Sequence, residues 1–103
     1  MPKKTGFSDE EKQRHIKLLT NNLPILRAKL QLSQEELSSI IGISRQTYSS
    51  IETLKREMSW NNFLSLVLFF GCNEKTAPML DGMGILSPRL NELLSTNNRK
   101  ELL

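Results

Sequence analysis

Arg45, Gln46, Ser49 and Ser50 are the side chains best placed to do chemistry, and that chemistry is hydrogen bonding, not bond making. They lie in the run Arg45-Gln46-Thr47-Tyr48-Ser49-Ser50-Ile51-Glu52. There Tyr48 and Ile51, three apart, take the inner face of a helix and leave polar residues on the outer one. No core requirement explains that outer face. A guanidinium fork, a carboxamide and two hydroxyls form a surface able to read a patterned donor and acceptor edge. Bond-making candidates are few. His15 is the only histidine and Cys72 the only cysteine, so neither a side-chain metal cluster nor an internal disulfide can be assembled. A Ser/His/Asp arrangement has nothing to orient His15, and no glycine-rich nucleophile turn or phosphate loop is present. The expectation is no enzyme, no cofactor, no metal and no small-molecule ligand.

The elements that must hold those residues start at Ser33. Its hydroxyl can accept from an orphan N–H while Glu36, three residues on, reaches back, which is a capping box for a helix beginning at Gln34. Leu37, Ile40 and Ile41 give that helix one apolar stripe, and Ser38 is small enough to let another helix come close. Gly42 ends it, because glycine takes the left-handed conformation that turns the chain sharply. Ile43 then plugs the turn and Ser44 caps the second helix. Two short helices crossed about one glycine are therefore expected over Gln34 to Glu52.

This segment resembles the DNA-binding domain of the Cro and phage-repressor family of bacterial helix-turn-helix regulators, the XRE family. The resemblance covers roughly Asn22 to Gly71 and rests on the spacing of Leu37, Ser38, Ile41, Gly42, Ile43, Tyr48 and Ile51. It implies roles. Arg45 and Gln46 match the start of the family's recognition helix, where side chains read base edges, and Ser50 matches a further base-facing position. Ser49 is counted with them from its place on the same face. Arg45 would then prefer guanine O6/N7 and Gln46 adenine N6/N7. Gln34 matches a residue that grips a phosphate from the start of the first motif helix. The helix N-termini at Gln34 and Arg45 offer N–H groups to phosphates, which places Ser44 and Thr47 among the phosphate-binding residues. Arg27 and Glu52 match a pair that in some members forms a buried ion pair between the first helix and the recognition helix. One stretch departs from the pattern. The family usually continues Asn-Gly-Lys-Arg-x-Pro, and here the chain reads Thr53-Leu54-Lys55-Arg56-Glu57-Met58. Lys55 and Arg56 remain as phosphate-binding residues. Leu54 in place of glycine suggests that the recognition helix runs on by a residue or ends in a different turn.

The remaining chain reads as one helical body. A length of 103 residues suits a single domain with a modest core, and no segment alternates in the manner of a strand. The fold class expected is all-α: a five-helix repressor-type helix-turn-helix domain with an N-terminal helix and a short helical C-terminal extension. The divisions are residues 1–21 for the N-terminal arm and helix, 22–71 for the DNA-binding domain and 72–103 for the extension. Ser8 and Glu11 form another capping box, and the helix they start is expected to end near Thr20, with Asn22 capping the next and Pro24 in its first turn. Leu23, Leu26 and Leu30 give that next helix its inner face. Ser59 can cap a helix from Trp60 to Phe70 that is apolar almost all round, so protein must cover several of its faces. It is too short to span a bilayer, which takes about 20 apolar residues. Asn73 to Leu80 and Pro88 to Leu94 are read as two short helices, the second with Leu86, Leu90, Leu93 and Leu94 on one face. They are expected to lie as a lid over the Trp60 to Phe70 helix and to share in a homodimer contact, against the simpler reading that they only complete the monomer's core. Met1 to Gly6 and Asn97 to Leu103 are expected to fray, and Lys3 and Lys4 form at most a basic arm.

Charge supports the same partner more weakly. The net charge of +3 and pI near 9.2 favour a polyanion. Between Ser33 and Trp60, however, Arg45, Lys55 and Arg56 face Glu35, Glu36, Glu52 and Glu57, and much of the positive charge lies in the first thirty residues. Affinity for DNA must then come from placement more than from total charge. A lone thiol and the lack of a secretory or lipidation pattern point to the cytoplasm. The function expected is a sequence-specific double-stranded DNA-binding transcriptional regulator, acting as a homodimer. The alternative is an antitoxin-like or adaptor module that binds a partner protein, with DNA binding secondary.

Overall fold

The computed structural model describes residues 7–95, which form six helices and no strand. They are α1 (Asp9–Lys29), α2 (Gln34–Ile41), α3 (Arg45–Glu52), α4 (Trp60–Gly71), α5 (Ala77–Gly82) and α6 (Pro88–Leu94). The all-α class stands. Lys3, Lys4 and the two ends expected to fray lie outside the described residues, Ser95 being the last of them.

The first helix corrects the reading of the N-terminal half. No end occurs near Thr20 and no new start at Asn22; α1 runs through both, with Pro24 inside it. Position 21–22, drawn as a boundary, falls in the middle of this one element. Proline removes the N–H that would bond the Thr20 carbonyl and costs about 3 kcal/mol in a helix interior. The buried stripe offsets it. Ile16, Leu19, Thr20, Leu23 and Leu26 are all buried and keep helical spacing across Pro24, while Pro24 itself faces solvent. Each fully buried leucine contributes on the order of 1.5–3 kcal/mol, so an unbroken stripe outweighs one local defect. Side chains serve carbonyls near the site: Thr20 Oγ1 donates to Ile16 O at 2.8 Å and Asn22 Nδ2 to Leu18 O at 2.8 Å.

Five helices start on a serine whose hydroxyl accepts from the first-turn backbone: Ser8, Ser33, Ser44, Ser59 and Ser87. At Ser8 and Ser33 the capping box is complete. The Ser8 and Ser33 N–H groups hold the Glu11 and Glu36 carboxyls below the usual carboxylate range.

The core is continuous from the motif to the C-terminal extension. Leu19, Leu23 and Leu26 of α1 meet Leu37, Tyr48 and Ile51 of the motif and Phe63, Leu66 and Phe70 of α4. Leu80, Ile85 and Leu90 join the same cluster, fully buried, so the extension completes the monomer's core. The first of its helices starts later than expected. Asn73–Thr76 form a turn, with Thr76 Oγ1 donating to Phe70 O at 2.6 Å, and α5 begins at Ala77. Two apolar expectations are corrected. Ile40, counted in the stripe of α2, is 56% exposed, and Leu68 of α4 is 68% exposed. An eight-residue helix has room for one narrow buried face, and Leu37, Ser38 and Ile41 occupy it.

Among the described residues no helix is long and apolar enough to cross a membrane.

Candidate nucleic-acid interface

Gly42 sets the angle between α2 and α3. Its φ of 85° is left-handed, and the N–H groups of Gly42 and Ile43 both bond the Ser38 carbonyl, at 2.9 and 3.0 Å. Ile43 is half-buried against the core and Ser38 is buried, as a close crossing of two helices requires. Ser44 then accepts from Thr47 N at 3.0 Å and starts α3.

The inner face of α3 is fixed by Tyr48 and Ile51, both fully buried. Its outer face presents Arg45 and Gln46, exposed and without a partner among the described residues, while Ser49 and Ser50 lie half-buried beside them. The first turn of α3 is therefore the part most open to a partner.

Glu52 closes the helix from below and collects four donors. Arg27 Nε reaches Glu52 Oε2 at 3.1 Å and Arg27 Nη2 reaches Oε1 at 2.9 Å; Tyr48 OH donates to Oε2 at 2.6 Å and Gln34 Nε2 to Oε1 at 2.9 Å. Arg27 Nη1 also donates to Leu32 O at 2.9 Å. Burial pushes the Glu52 carboxyl up, but the hydrogen bonds from Arg27, Tyr48 and Gln34 and the charge on Arg27 outweigh it and hold the carboxyl below its ordinary range. Burial, followed by the bond to Glu52, pushes the Tyr48 phenol far above its ordinary value, and the bond to Glu52 raises the Arg27 guanidinium.

The phosphate-binding candidates are not placed alike. Gln34 directs its amide nitrogen at Glu52, so at most the second N–H of that amide is open to a phosphate. Ser44 and Thr47 belong to the cap of α3, with Ser44 Oγ and Thr47 Oγ1 2.9 Å apart. Arg56 Nη1 donates to Thr47 Oγ1 at 3.1 Å, which ties the residue after α3 back to its first turn. Lys55 is exposed and has no partner among the described residues.

Leu54 shapes that return. α3 does not run on past Thr53; Leu54 itself takes the left-handed conformation, φ 68°, that glycine usually supplies. The N–H groups of Lys55 and Arg56 both bond Ser50 O, at 2.8 and 3.1 Å. The turn keeps the glycine geometry with a leucine in it.

Of the motif's four carboxylates, Glu35, Glu36, Glu52 and Glu57, Glu52 alone is paired with a cation among the described residues. Glu36 is held in its capping box, Glu52 is neutralised by Arg27 from α1, and Glu57 accepts from Gln13 Nε2 at 3.3 Å. The roles of Tyr48 and Gln34 at Glu52 escaped the sequence reading, although Tyr48 stands four residues before Glu52 on one helix, a spacing that lets the two side chains meet.

Residues 25–75, about half of the chain, match the sequence profile of a family described as helix-turn-helix. No curated protein and no solved structure matches.

Proposed function

Because the chain belongs, through residues 25–75, to the helix-turn-helix family of Cro and phage-repressor type, we propose that it is a sequence-specific regulator of transcription that binds an operator in double-stranded DNA. α3 enters the major groove with Arg45 and Gln46 on base edges and Ser49 and Ser50 beside them. Lys55 and Arg56 hold the sugar–phosphate backbone, and the N-terminal ends of α2 and α3, with Gln34, Ser44 and Thr47, hold it from the other side.

The observation that carries this reading is the asymmetry of α3. Its inner side is locked by Tyr48, Ile51 and the Glu52 cluster, and its outer side offers Arg45 and Gln46 with no partner among the described residues. Selection from a random duplex pool, followed by sequencing of the bound DNA, tests it. An enriched imperfect palindrome with half-sites one helical turn apart, about 34 Å, is the expected result. A pool that stays random would favour the antitoxin-like or adaptor reading instead.

A palindromic operator requires two copies. The face lined by Leu64, Val67, Leu68, Gly71, Cys72 and Leu94 carries no charged side chain, and Leu68 and Leu94 are 68% and 49% exposed on it. A second copy of the chain covers this face in the proposed homodimer. Leu68→Glu would then shift the molecule to monomer in sedimentation equilibrium without altering its helix content; an unchanged mass would remove this interface. Cys72, a free thiol at the C-terminal end of α4, fits the reducing cytoplasm in which such a regulator meets DNA.

A further inference from the structure

We infer that the N-terminal half of α1, outside the segment that matches the family, makes its own contact with the DNA backbone, through Lys17. The inference rests on the DNA-binding reading above and extends the surface that grips phosphate.

Gln13, Lys17 and Asn21 stand four residues apart along one face of α1, and all three are exposed. They line one wall of an open cleft of about 270 Å³ whose other wall is the turn after α3, with Lys55 and Arg56. Three cations thus border one cleft against a single carboxylate, Glu57, which leaves the cleft net positive. Among the described residues Lys17 and Lys55 have no hydrogen-bond or ion-pair partner. Unpaired like charges around a shared cleft repel one another, and an anion placed between them relieves that repulsion.

Continuity with the recognition helix identifies the anion. Arg56 links the cleft directly to the first turn of α3 through Thr47. A strand whose phosphates are held at Ser44, Thr47 and Arg56 continues past Lys55 into the cleft and comes under Lys17. Gln13 and Asn21 add neutral donors on either side, which suits successive phosphates better than a single small anion. The motif's own residues would reach only as far as the turn after α3; α1, unbroken at Pro24, brings Lys17 beyond it.

The test is the salt dependence of binding to the selected operator, compared for Lys17→Ala, Lys17→Gln and Arg14→Ala. Arg14→Ala removes the same charge from the same helix, but Arg14 does not line the cleft shared with Lys55 and Arg56; it borders a second cleft with Glu11, His15 and Arg89, which Lys17 also lines. Both Lys17 variants should flatten the slope of log K against log salt by about 0.9, the value for one phosphate contact, and keep the parent's base preferences. Arg14→Ala should keep the parent slope. Phosphate ethylation should interfere with binding of the parent at one position outside each half-site, and that interference should disappear in both Lys17 variants. Equal slopes for the parent and the Lys17 variants, or equal flattening by Arg14→Ala, would overturn the inference and leave the DNA-binding reading standing. A parent protein that enriches no sequence would overturn both.

Discussion

Arg27 and Glu52 form a two-armed ion pair between α1 and the last residue of α3, Nε to Oε2 at 3.1 Å and Nη2 to Oε1 at 2.9 Å. Glu52 retains only 7% side-chain exposure, and Tyr48 and Gln34 occupy its remaining acceptor positions. The pair joins α1, α2 and α3 at one carboxylate. It fixes how α3 is presented without touching the face that α3 presents.

Arg27→Ala should therefore destabilise the protein by about 2–3 kcal/mol, below the full penalty for an uncompensated buried charge because water reaches part of Arg27. Denaturant unfolding measures this. The fall in stability should come with unchanged operator preference in whatever fraction remains folded. A variant as stable as the parent would show that the pair contributes nothing net.

Acid should weaken the same site. The folded-state value of Glu52 lies below its unfolded value, about 4.3, so the unfolded chain binds more protons in that range and stability rises with pH. The contribution is present above pH about 4.3 and is lost as pH falls through the lower folded value. Glu11 and Glu36 act in the same direction, so the comparison with Glu52→Gln isolates the Glu52 share. The variant should show the shallower decline of unfolding free energy between pH 5 and 3; parallel curves would assign the acid sensitivity to the two capping boxes alone. Tyr48 works at the other end. Its raised phenol keeps stability intact up to its unfolded value of about 10, with loss above that.

Leu54→Gly should stabilise the protein. A left-handed leucine costs about 1–2 kcal/mol that glycine avoids, against about 0.5–1 kcal/mol of extra backbone entropy lost by glycine on folding. Leu54 is 72% exposed, so little burial is given up. A gain near 0.5–1 kcal/mol follows, or a rise of about 2–6 °C in Tm. A lower Tm would mean that the Leu54 side chain, on the rim of the cleft beside Lys17, contributes more by packing there than its backbone costs.

The helix-turn-helix was legible because its signals are local. Ser33 with Glu36, Gly42 and Ser44 each act within four residues, and the helices begin and end where those residues put them. Pro24 misled for the complementary reason. It is a local breaker, whereas the stripe from Ile16 to Leu26 only counts once α4 and the motif cover it. Leu54 misled similarly: the usual glycine was absent, yet the bonds from Lys55 and Arg56 to Ser50 O hold the turn. The convergence of Gln34 on Glu52, and the placing of Lys17 and Lys55 on one cleft, are products of helix crossing. Spacing along one chain carries no such information between elements.

Arg45 and Lys55 should fail in different ways, which makes them the sharpest pair for testing how α3 meets DNA. Arg45 is exposed on the first turn of α3 with nothing among the described residues to hold it, so a base edge would be its first partner. Arg45→Ala should cost about 1–3 kcal/mol on the selected operator and relax preference at one base position per half-site. Lys55 sits past the end of α3 and carries a charge without a base-reading geometry. Lys55→Ala should weaken all duplexes alike and flatten the salt slope by about one unit. Titrations of selected and scrambled duplexes at several salt concentrations separate the two. If Arg45→Ala weakened both duplexes equally, Arg45 would be a backbone contact, and the reading of bases would have to pass to Gln46, Ser49 and Ser50.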